Sequence, residues 1–239
     1  RDSSTSRGLG DVYKRQVPSG WDGYFEKLAT DTATGGMPDI VQMDYMYIST
    51  YAQNGSLADL SEYINNGTID ASGIDEALMN ASNIGGKTVG IPLSTSLVAF
   101  TYNPSVLEEA GVDVPTDDWT WEDAMAAAQS IRALGSDIFG YYHPISFNEY
   151  YKVVRQNGGS LFNDDYTQFT MDTPANVEAL QYLVDMQRKT NVMPTAEQMA
   201  GMGDWDLFKS GRLGMIVTGI WAFPDFTRDC AFDWDIAVE

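Results

Sequence analysis

A carboxylate and a phenol follow directly after a short apolar run near the start of the chain. In the stretch IVQMDY, residues 40–45, the run leads into Met43, Asp44 and Tyr45. If the run is a buried strand, its carboxyl end is where open α/β sheets hold ligands. A carboxylate accepts hydrogen bonds from paired hydroxyl groups, and a flat ring covers the apolar face of a sugar. For Asp44 the alternative is a helix N-cap, and for Tyr45 it is half-buried packing.

A second aromatic residue follows a longer apolar run. Trp221 comes after LGMIVTG, residues 213–219, and its indole offers both a flat apolar face and an N–H donor. Gly219 is predicted to let the backbone turn there without a steric penalty. Core packing is the alternative for Trp221. Three other tryptophans, Trp119, Trp121 and Trp205, are interpreted as helix-packing residues.

The sequence lacks the motifs of the common catalytic and metal sites. His143 is the only histidine and Cys230 the only cysteine, so neither an intrachain disulfide nor a zinc cluster can form. There is no G-x-S-x-G, no phosphate-binding loop and no H-E-x-x-H. Carboxylates are so abundant that a glycosidase pair could be drawn anywhere and is uninformative. We expect no catalytic residues, no metal and no cofactor, and we interpret His143 as a structural residue or a ligand contact.

The charge of the chain restricts its partners. Fourteen basic and 34 acidic residues give a net charge of -20 over 239 residues, of which 44% are hydrophobic. Nucleic acid and anionic membranes would be repelled, whereas a neutral or cationic ligand is favoured. The hydrophobic content is ample for a globular core, and the sequence has no apolar run of about 18 residues that could span a membrane.

Both ends of the chain look unusual. Residues 1–16, RDSSTSRGLGDVYKRQ, are basic, whereas the rest is strongly acidic. The string DVYKRQ is similar to the translation of a transposase adapter used in sequencing libraries. We therefore predict that residues 1–16 are a non-native tail that makes almost no buried contact with the rest of the chain. A natural disordered tail is the alternative. At the other end, DWDIAVE is strand-like and stops without a cap. We therefore expect a gene cut at both ends.

Strands and helices alternate along the chain, which predicts an α/β fold. Residues 39–43, 213–217 and the stretch IFGYYHP are predicted strands. Helices are predicted from Trp21, from Tyr47, from Pro104 and after Thr120, whose partner Asp123 approximates a capping box. The helix after Thr173 is the clearest, with four apolar residues predicted to face inward, namely Val177, Leu180, Leu183 and Val184. The order suggests two lobes, 17–111 and 112–239.

These segments together resemble the extracellular solute-binding proteins, family 1, of ABC importers, the group that includes maltose-binding protein. The resemblance runs from Val17 to Glu239 and rests on PDIVQMD, KTVGIPLSTSLVAFTYNPSVLEEAG, WTWEDAMAAA and FKSGRLGMIVTGIWAF in the usual order and spacing. It implies a two-lobed periplasmic-binding-protein-like fold that closes on a sugar. This chain would be an incomplete version, without the first strand of the first lobe and without the segments that return to both lobes.

The resemblance also implies site residues and partners. The positions that match the family's sugar cleft are Met43, Asp44, Tyr45, Ser96, Phe147, Asn148 and Trp221. A plain turn hydroxyl is the alternative for Ser96, and a helix-start role is the alternative for Asn148. The implied function is capture of a mono- or oligosaccharide, as a monomer, for the transmembrane permease subunits of an ABC importer. The implied location is extracellular or periplasmic, with a lipid anchor before the first residue.

Two other functions remain open at this point. A carbohydrate-active enzyme, such as a glycoside hydrolase, would also recognise sugars but would consume them. A clipped chain could also have no activity at all, because losing a central strand leaves backbone groups unpaired and apolar helix faces uncovered.

Overall fold

The computed structural model describes residues 20–239, apart from the side chains of Asp22 and Asn148. The predicted tail, residues 1–16, lies outside the described residues. The chain divides into two compact units after Thr95. None of the described helices is long and apolar enough to cross a membrane.

The first unit is mostly helical. Its elements are α1 (Trp21–Ala33), α2 (Tyr45–Gln53), α3 (Ser61–Asn65), α4 (Glu76–Ala81), β1 (Asn83–Ile84) and β2 (Lys87–Thr88). The two strands form an antiparallel hairpin whose two turn residues, Gly85 and Gly86, both have positive φ. That turn conformation favours glycine, which explains why two of them stand there. The small core of the unit joins α1 and α2 through Phe25, Leu28 and Tyr51.

The predicted strand at residues 39–43 is wrong, because these residues form no strand. Ile40 is 91% exposed, while Val41 and Met43 pack against the core of the first unit. The only strands in the described part of this unit are β1 and β2, which pair with each other. A strand needs a neighbour for its backbone hydrogen bonds, and residues 39–43 have none here.

The second unit is an α/β assembly, so the predicted α/β class is correct. Its elements are β3 (Val98–Tyr102), α5 (Pro104–Glu109), α6 (Trp121–Arg132), β4 (Phe139–Tyr142), α7 (Phe147–Gln156), α8 (Pro174–Arg188), α9 (Ala196–Met199), α10 (Asp204–Lys209), β5 (Leu213–Gly219), α11 (Phe223–Asp229) and β6 (Asp235–Ala237). The four strands form one mixed sheet in the order β4-β5-β3-β6.

The register of this sheet places three strand ends together. Strand β4 runs parallel to β5, and β3 runs antiparallel to both β5 and β6. The carboxyl ends of β4, β5 and β6 therefore meet at the same end of the sheet as the amino end of β3. We call this the carboxyl end of the sheet. Sheets of this kind hold ligands at that end.

Local signals explain where the helices begin. Thr120 and Asp123 form the predicted capping box at the start of α6, with the Thr120 N–H donating to Asp123 Oδ2 at 2.8 Å. Asn103 caps α5, whose first residue is Pro104, as predicted. Ser146 caps α7 by accepting a hydrogen bond from the Glu149 N–H. These caps fix the entries of three helices that pack on the same face of the sheet.

The buried face of α8 differs from the prediction. Its fully buried residues are Asn176, Ala179, Leu183 and Met186. Val177 and Leu180 are exposed, so only Leu183 of the predicted set is fully buried. Asn176 explains the shift, because its amide donates to the carbonyls of Ser160 and Thr170 and holds that side of the helix against residues 160–170. A polar residue set the buried face here, and hydrophobicity alone could not reveal it.

The division after Thr95 also differs from the predicted boundary after Gly111. Strand β3 pairs along its length with β5 and with β6, both of which lie late in the chain. Residues 96–111 therefore belong to the second unit. The sequence placed the boundary at the Pro- and Asp-rich stretch instead, because strand partners are not visible in local composition.

Candidate ligand site

Three sequence-predicted residues lie at the carboxyl end of the second unit's sheet. Trp221 follows β5, Phe147 follows β4, and Ser96 precedes β3. The Ile220 N–H donates to the Leu97 carbonyl at 3.0 Å, which ties the segment after β5 to the segment before β3. The sheet topology thus brings together residues that are far apart in the sequence.

Trp221 lies flat against the backbone at this end. It is 52% exposed, and a Cβ atom on Gly219 would lie 2.1 Å from Cζ3 of its ring. Gly219 has no positive φ in the structure, so its predicted role in turning the backbone is wrong. Its role is steric, because the missing side chain leaves the space that the indole occupies. One face of the ring contacts the protein, and a large part of the residue stays exposed.

Phe147 and Ser96 are exposed at the same end of the sheet. Phe147 is the first residue of α7 and is 64% exposed. Ser96 is exposed and lies in the loop before β3. The N-cap of α7 is Ser146, and the side chain of Asn148 is not described. The roles of Phe147, Ser96 and Asn148 as ligand contacts stay predictions.

The other three predicted residues lie in the first unit. Asp44 is the N-cap of α2, where its Oδ1 accepts a hydrogen bond from the Met46 N–H at 2.8 Å. Tyr45 is the first residue of that helix and is 75% exposed. Met43 packs against the small core. The capping interpretation of Asp44 is therefore confirmed, and contact of these residues with a ligand stays a prediction.

A cavity of about 430 Å³ lies within the second unit. We call it the aromatic cavity, because rings from several elements line it. Its lining residues are Phe100, Pro115, Trp119, Thr120, Trp121, Glu122, Ala124, Tyr141, His143, Gln156, Asn157, Glu178, Tyr182, Val238 and Glu239. His143 follows β4, and Val238 and Glu239 follow β6, so part of the lining comes from the carboxyl end of the sheet.

The rings of Trp121 and Tyr182 form one wall of the aromatic cavity. They stack with their centroids 4.5 Å apart and an interplanar angle of 13°. The Trp121 Nε1–H donates to Gln156 Oε1 at 3.1 Å, which fixes the orientation of the indole. The predicted packing role of Trp119 and Trp121 is confirmed, because both pack against the core of the unit. Both also line the cavity, which sequence reasoning did not predict for them.

A partly buried ionic cluster borders the cavity, and two of its members, His143 and Glu239, line it. His143 Nε2 is 2.9 Å from Glu149 Oε2, and the Lys152 ammonium donates to Glu149 at 2.7 Å and to Glu239 at 2.6 Å. Within residues 20–239, the atoms of His143, Glu149 and Glu239 are the one group of potential metal ligands that lie close together. Lys152 already supplies a positive charge to both carboxylates. The cluster therefore joins α7, the end of β4 and the end of β6 as an ion-pair network.

The surroundings shift the pKa values of several groups near the cavity, among them Glu149 and Tyr182. Burial alone would raise the pKa of Glu149, but hydrogen bonds from His143 and Lys152 outweigh it and lower the pKa below the usual value. Burial raises the pKa of Tyr182, and the negative charge of Glu122 raises it further. Glu149 is thus held as a carboxylate, and Tyr182 is held as a neutral phenol.

Most of the cavity could not be found from the sequence. Glu122, Gln156, Asn157, Glu178 and Tyr182 come from three different helices, α6, α7 and α8, or from the residue after one. No local motif connects them. The one available signal was WTWED, in which two tryptophans and two acidic residues stand together at a helix start.

Comparison with known proteins gives a consistent family assignment. A family model described as bacterial extracellular solute-binding protein matches residues 15–238. A Brucella abortus (strain 2308) protein is 29% identical over 203 residues, which cover 83% of this chain and 48% of that protein. The arabinooligosaccharide-binding protein of Bacillus subtilis (strain 168) is 27% identical over 161 residues, covering 66% of this chain and 36% of that protein.

Solved structures agree with this assignment. The ABC substrate-binding protein Lmo0181 from Listeria monocytogenes, in complex with cycloalternan, is 40% identical with a TM-score of 0.87; the match covers 92% of this chain and 56% of that chain. A Thermotoga lettingae solute-binding protein bound to alpha-D-tagatose is 26% identical with a TM-score of 0.78, over 90% and 57% of the two chains. The present chain thus spans about half the length of these proteins. The predicted two-lobed solute-binding fold class is confirmed.

Proposed function

Since the chain belongs to the bacterial extracellular solute-binding protein family, we propose that it is the extracellular substrate-binding component of an ABC importer. Its ligand is a mono- or oligosaccharide. The second unit contributes one wall of the site, at the carboxyl end of its sheet. Closing of the protein around the sugar signals occupancy to the transporter.

The observation that carries this proposal is the exposure of large rings at the carboxyl end of the sheet. Trp221 is 52% and Phe147 is 64% exposed. Exposed rings at a position where α/β sheets hold ligands are suited to cover the apolar face of a sugar. The Listeria relative was solved with cycloalternan, and the Bacillus relative is named for arabinooligosaccharides, which supports a carbohydrate as the ligand class.

Binding without catalysis is part of the proposal. The family consists of binding proteins, and the sequence contains none of the catalytic motifs sought above. No observation favours the glycoside hydrolase alternative. The partners are then the transmembrane permease subunits, and the protein works as a monomer outside the membrane. Attachment through an N-terminal lipid belongs to the same proposal.

The test uses the protein encoded by the intact reading frame, recovered from the source DNA, because this chain spans about half the length of its relatives. A panel of sugars is screened by thermal unfolding. A true ligand at 100 times its Kd stabilises the protein by about 2.7 kcal/mol, which raises the melting temperature by several degrees.

Two results would contradict the proposal. The first is a panel of mono- and oligosaccharides in which no sugar raises the melting temperature. The second is release of sugar products at a rate proportional to protein concentration, which would indicate an enzyme. Chromatography of the bound sugar before and after prolonged incubation distinguishes binding from hydrolysis.

A further inference from the structure

We propose that the aromatic cavity selects its sugar by charge, binding a unit that carries an ammonium group in preference to a neutral unit and rejecting a unit that carries a carboxylate. This inference rests on the proposed function, since it specifies the class of carbohydrate that the protein takes. It concerns the chemistry of the cavity lining, which contains none of the seven residues that match the family's sugar cleft.

The first argument is the composition of the lining. Besides the imidazole of His143, five aromatic rings line the cavity, those of Phe100, Trp119, Trp121, Tyr141 and Tyr182. Aromatic faces attract cations through their quadrupole, and tryptophan does so most strongly. The same rings also pack on the apolar face of a sugar ring. A protonated amino sugar would satisfy both properties at once.

The second argument is the charge of the lining. Three carboxylates line the cavity, those of Glu122, Glu178 and Glu239, and no lysine or arginine does. Lys152 forms an ion pair with Glu239 and shares its positive charge with Glu149. Neither Glu122 nor Glu178 forms an ion pair with any residue in the described part of the chain. Two negative charges at the cavity are therefore without a cationic partner.

Both carboxylates line the cavity, and both residues are exposed to solvent. Asn157 Nδ2 donates to Glu178 Oε2 at 3.0 Å, which holds one of its oxygens near the end of α7. Glu122 directly follows Trp121 in the chain and lines the same cavity as the stacked rings of Trp121 and Tyr182. A ligand in contact with the Trp121–Tyr182 wall therefore lies near the charge of Glu122. An ammonium group is attracted there, whereas a uronate is repelled.

The experiment compares three sugars with the same ring and linkage but different charge. They are the β-1,4-linked disaccharides of glucosamine, of glucose, and of glucose with glucuronic acid. Calorimetry with the intact protein at about pH 6, where an amine is protonated, gives each Kd. We expect the glucosamine disaccharide to bind about tenfold more tightly than the glucose disaccharide, a difference of about 1.4 kcal/mol. The uronate should bind more weakly than either.

Matched variants identify the source of the preference. The double variant Glu122→Gln/Glu178→Gln removes two negative charges from the cavity and should reduce the preference to less than about twofold. The control Glu108→Gln/Glu109→Gln removes two charges from the exposed side of α5, away from the cavity lining, and should keep it. Added salt should weaken the preference of the unmodified protein, because ionic attraction is screened.

Equal affinity for the three sugars would overturn the inference. So would a preference that the cavity variant retains, or binding of none of the three. The proposed function has its own test and survives these outcomes, provided that some sugar of the thermal panel stabilises the protein.

Discussion

Replacing Trp221 with alanine tests whether its exposed ring is a platform for the sugar. An aromatic side chain buries about 150–250 Å² when fully covered, and about half of Trp221 is exposed in the structure. A sugar covering that half would remove roughly 100 Å² of apolar surface from water. At about 25 cal/mol per Å², the contact contributes about 2.5 kcal/mol, so Trp221→Ala should weaken binding about sixtyfold.

The assay is calorimetry on the intact protein with the sugar that the thermal panel identifies. Trp21→Ala is the matched control, because Trp21 has a similar exposure of 57% and, as the first residue of α1, is not one of the predicted ligand residues. Both variants should fold, each losing about 1 kcal/mol or less of unfolding free energy, since neither ring is fully buried. An unchanged Kd for Trp221→Ala would refute the assignment of this ring to the site.

Two further predictions concern residues of the second unit. Gly140→Ala should lower the free energy of unfolding by about 3 kcal/mol in urea denaturation, because a Cβ there would lie 2.0 Å from the Ala128 carbonyl oxygen. The control Gly135→Ala, where a Cβ would make only ordinary contacts, should lower it far less. Similar losses for the two variants would contradict the close packing of β4 on α6. Glu149 has a lowered pKa in the folded protein, so it stabilises the fold above about pH 4.5, and this stability is lost as the pH falls through the folded pKa. Glu149→Gln keeps the size of the side chain but removes the charge facing Lys152, so the free energy of unfolding of this variant should fall less on acidification. An identical pH profile for the two proteins would contradict the ion-pair network.

Local chemistry made much of the helical structure predictable. The Thr120 capping box and Pro104 at a helix start each depend on residues within one turn, and both were found where the sequence indicated. The strand predicted at residues 39–43 failed for the opposite reason. A strand exists only with a partner, and the partner is a property of the whole sheet.

The candidate site was predictable only in part. The place of Trp221 was predictable because a single ring follows a single buried strand, and the structure exposes it at the expected end of the sheet; its contact with a ligand stays a prediction. The aromatic cavity was missed because its wall joins Trp121 on α6 with Tyr182 on α8, two residues that meet only after the helices have packed. Charge selection also depends on which carboxylates remain unpaired. Composition cannot distinguish Glu178 from Glu239, with which Lys152 forms an ion pair.

The pairing of β3 with β5 has a consequence for how the second unit forms during synthesis. Tyr102 pairs with Met215, and Phe100 pairs with Ala237, so the central strand must remain without neighbours until nearly all of the unit has left the ribosome. Closing so long a loop costs entropy before any contact repays it, and sheets with such distant partners fold slowly. Meanwhile the apolar strand VAFTY is open to other chains. A nascent chain of this unit should therefore depend on chaperones until β5 and β6 have been made.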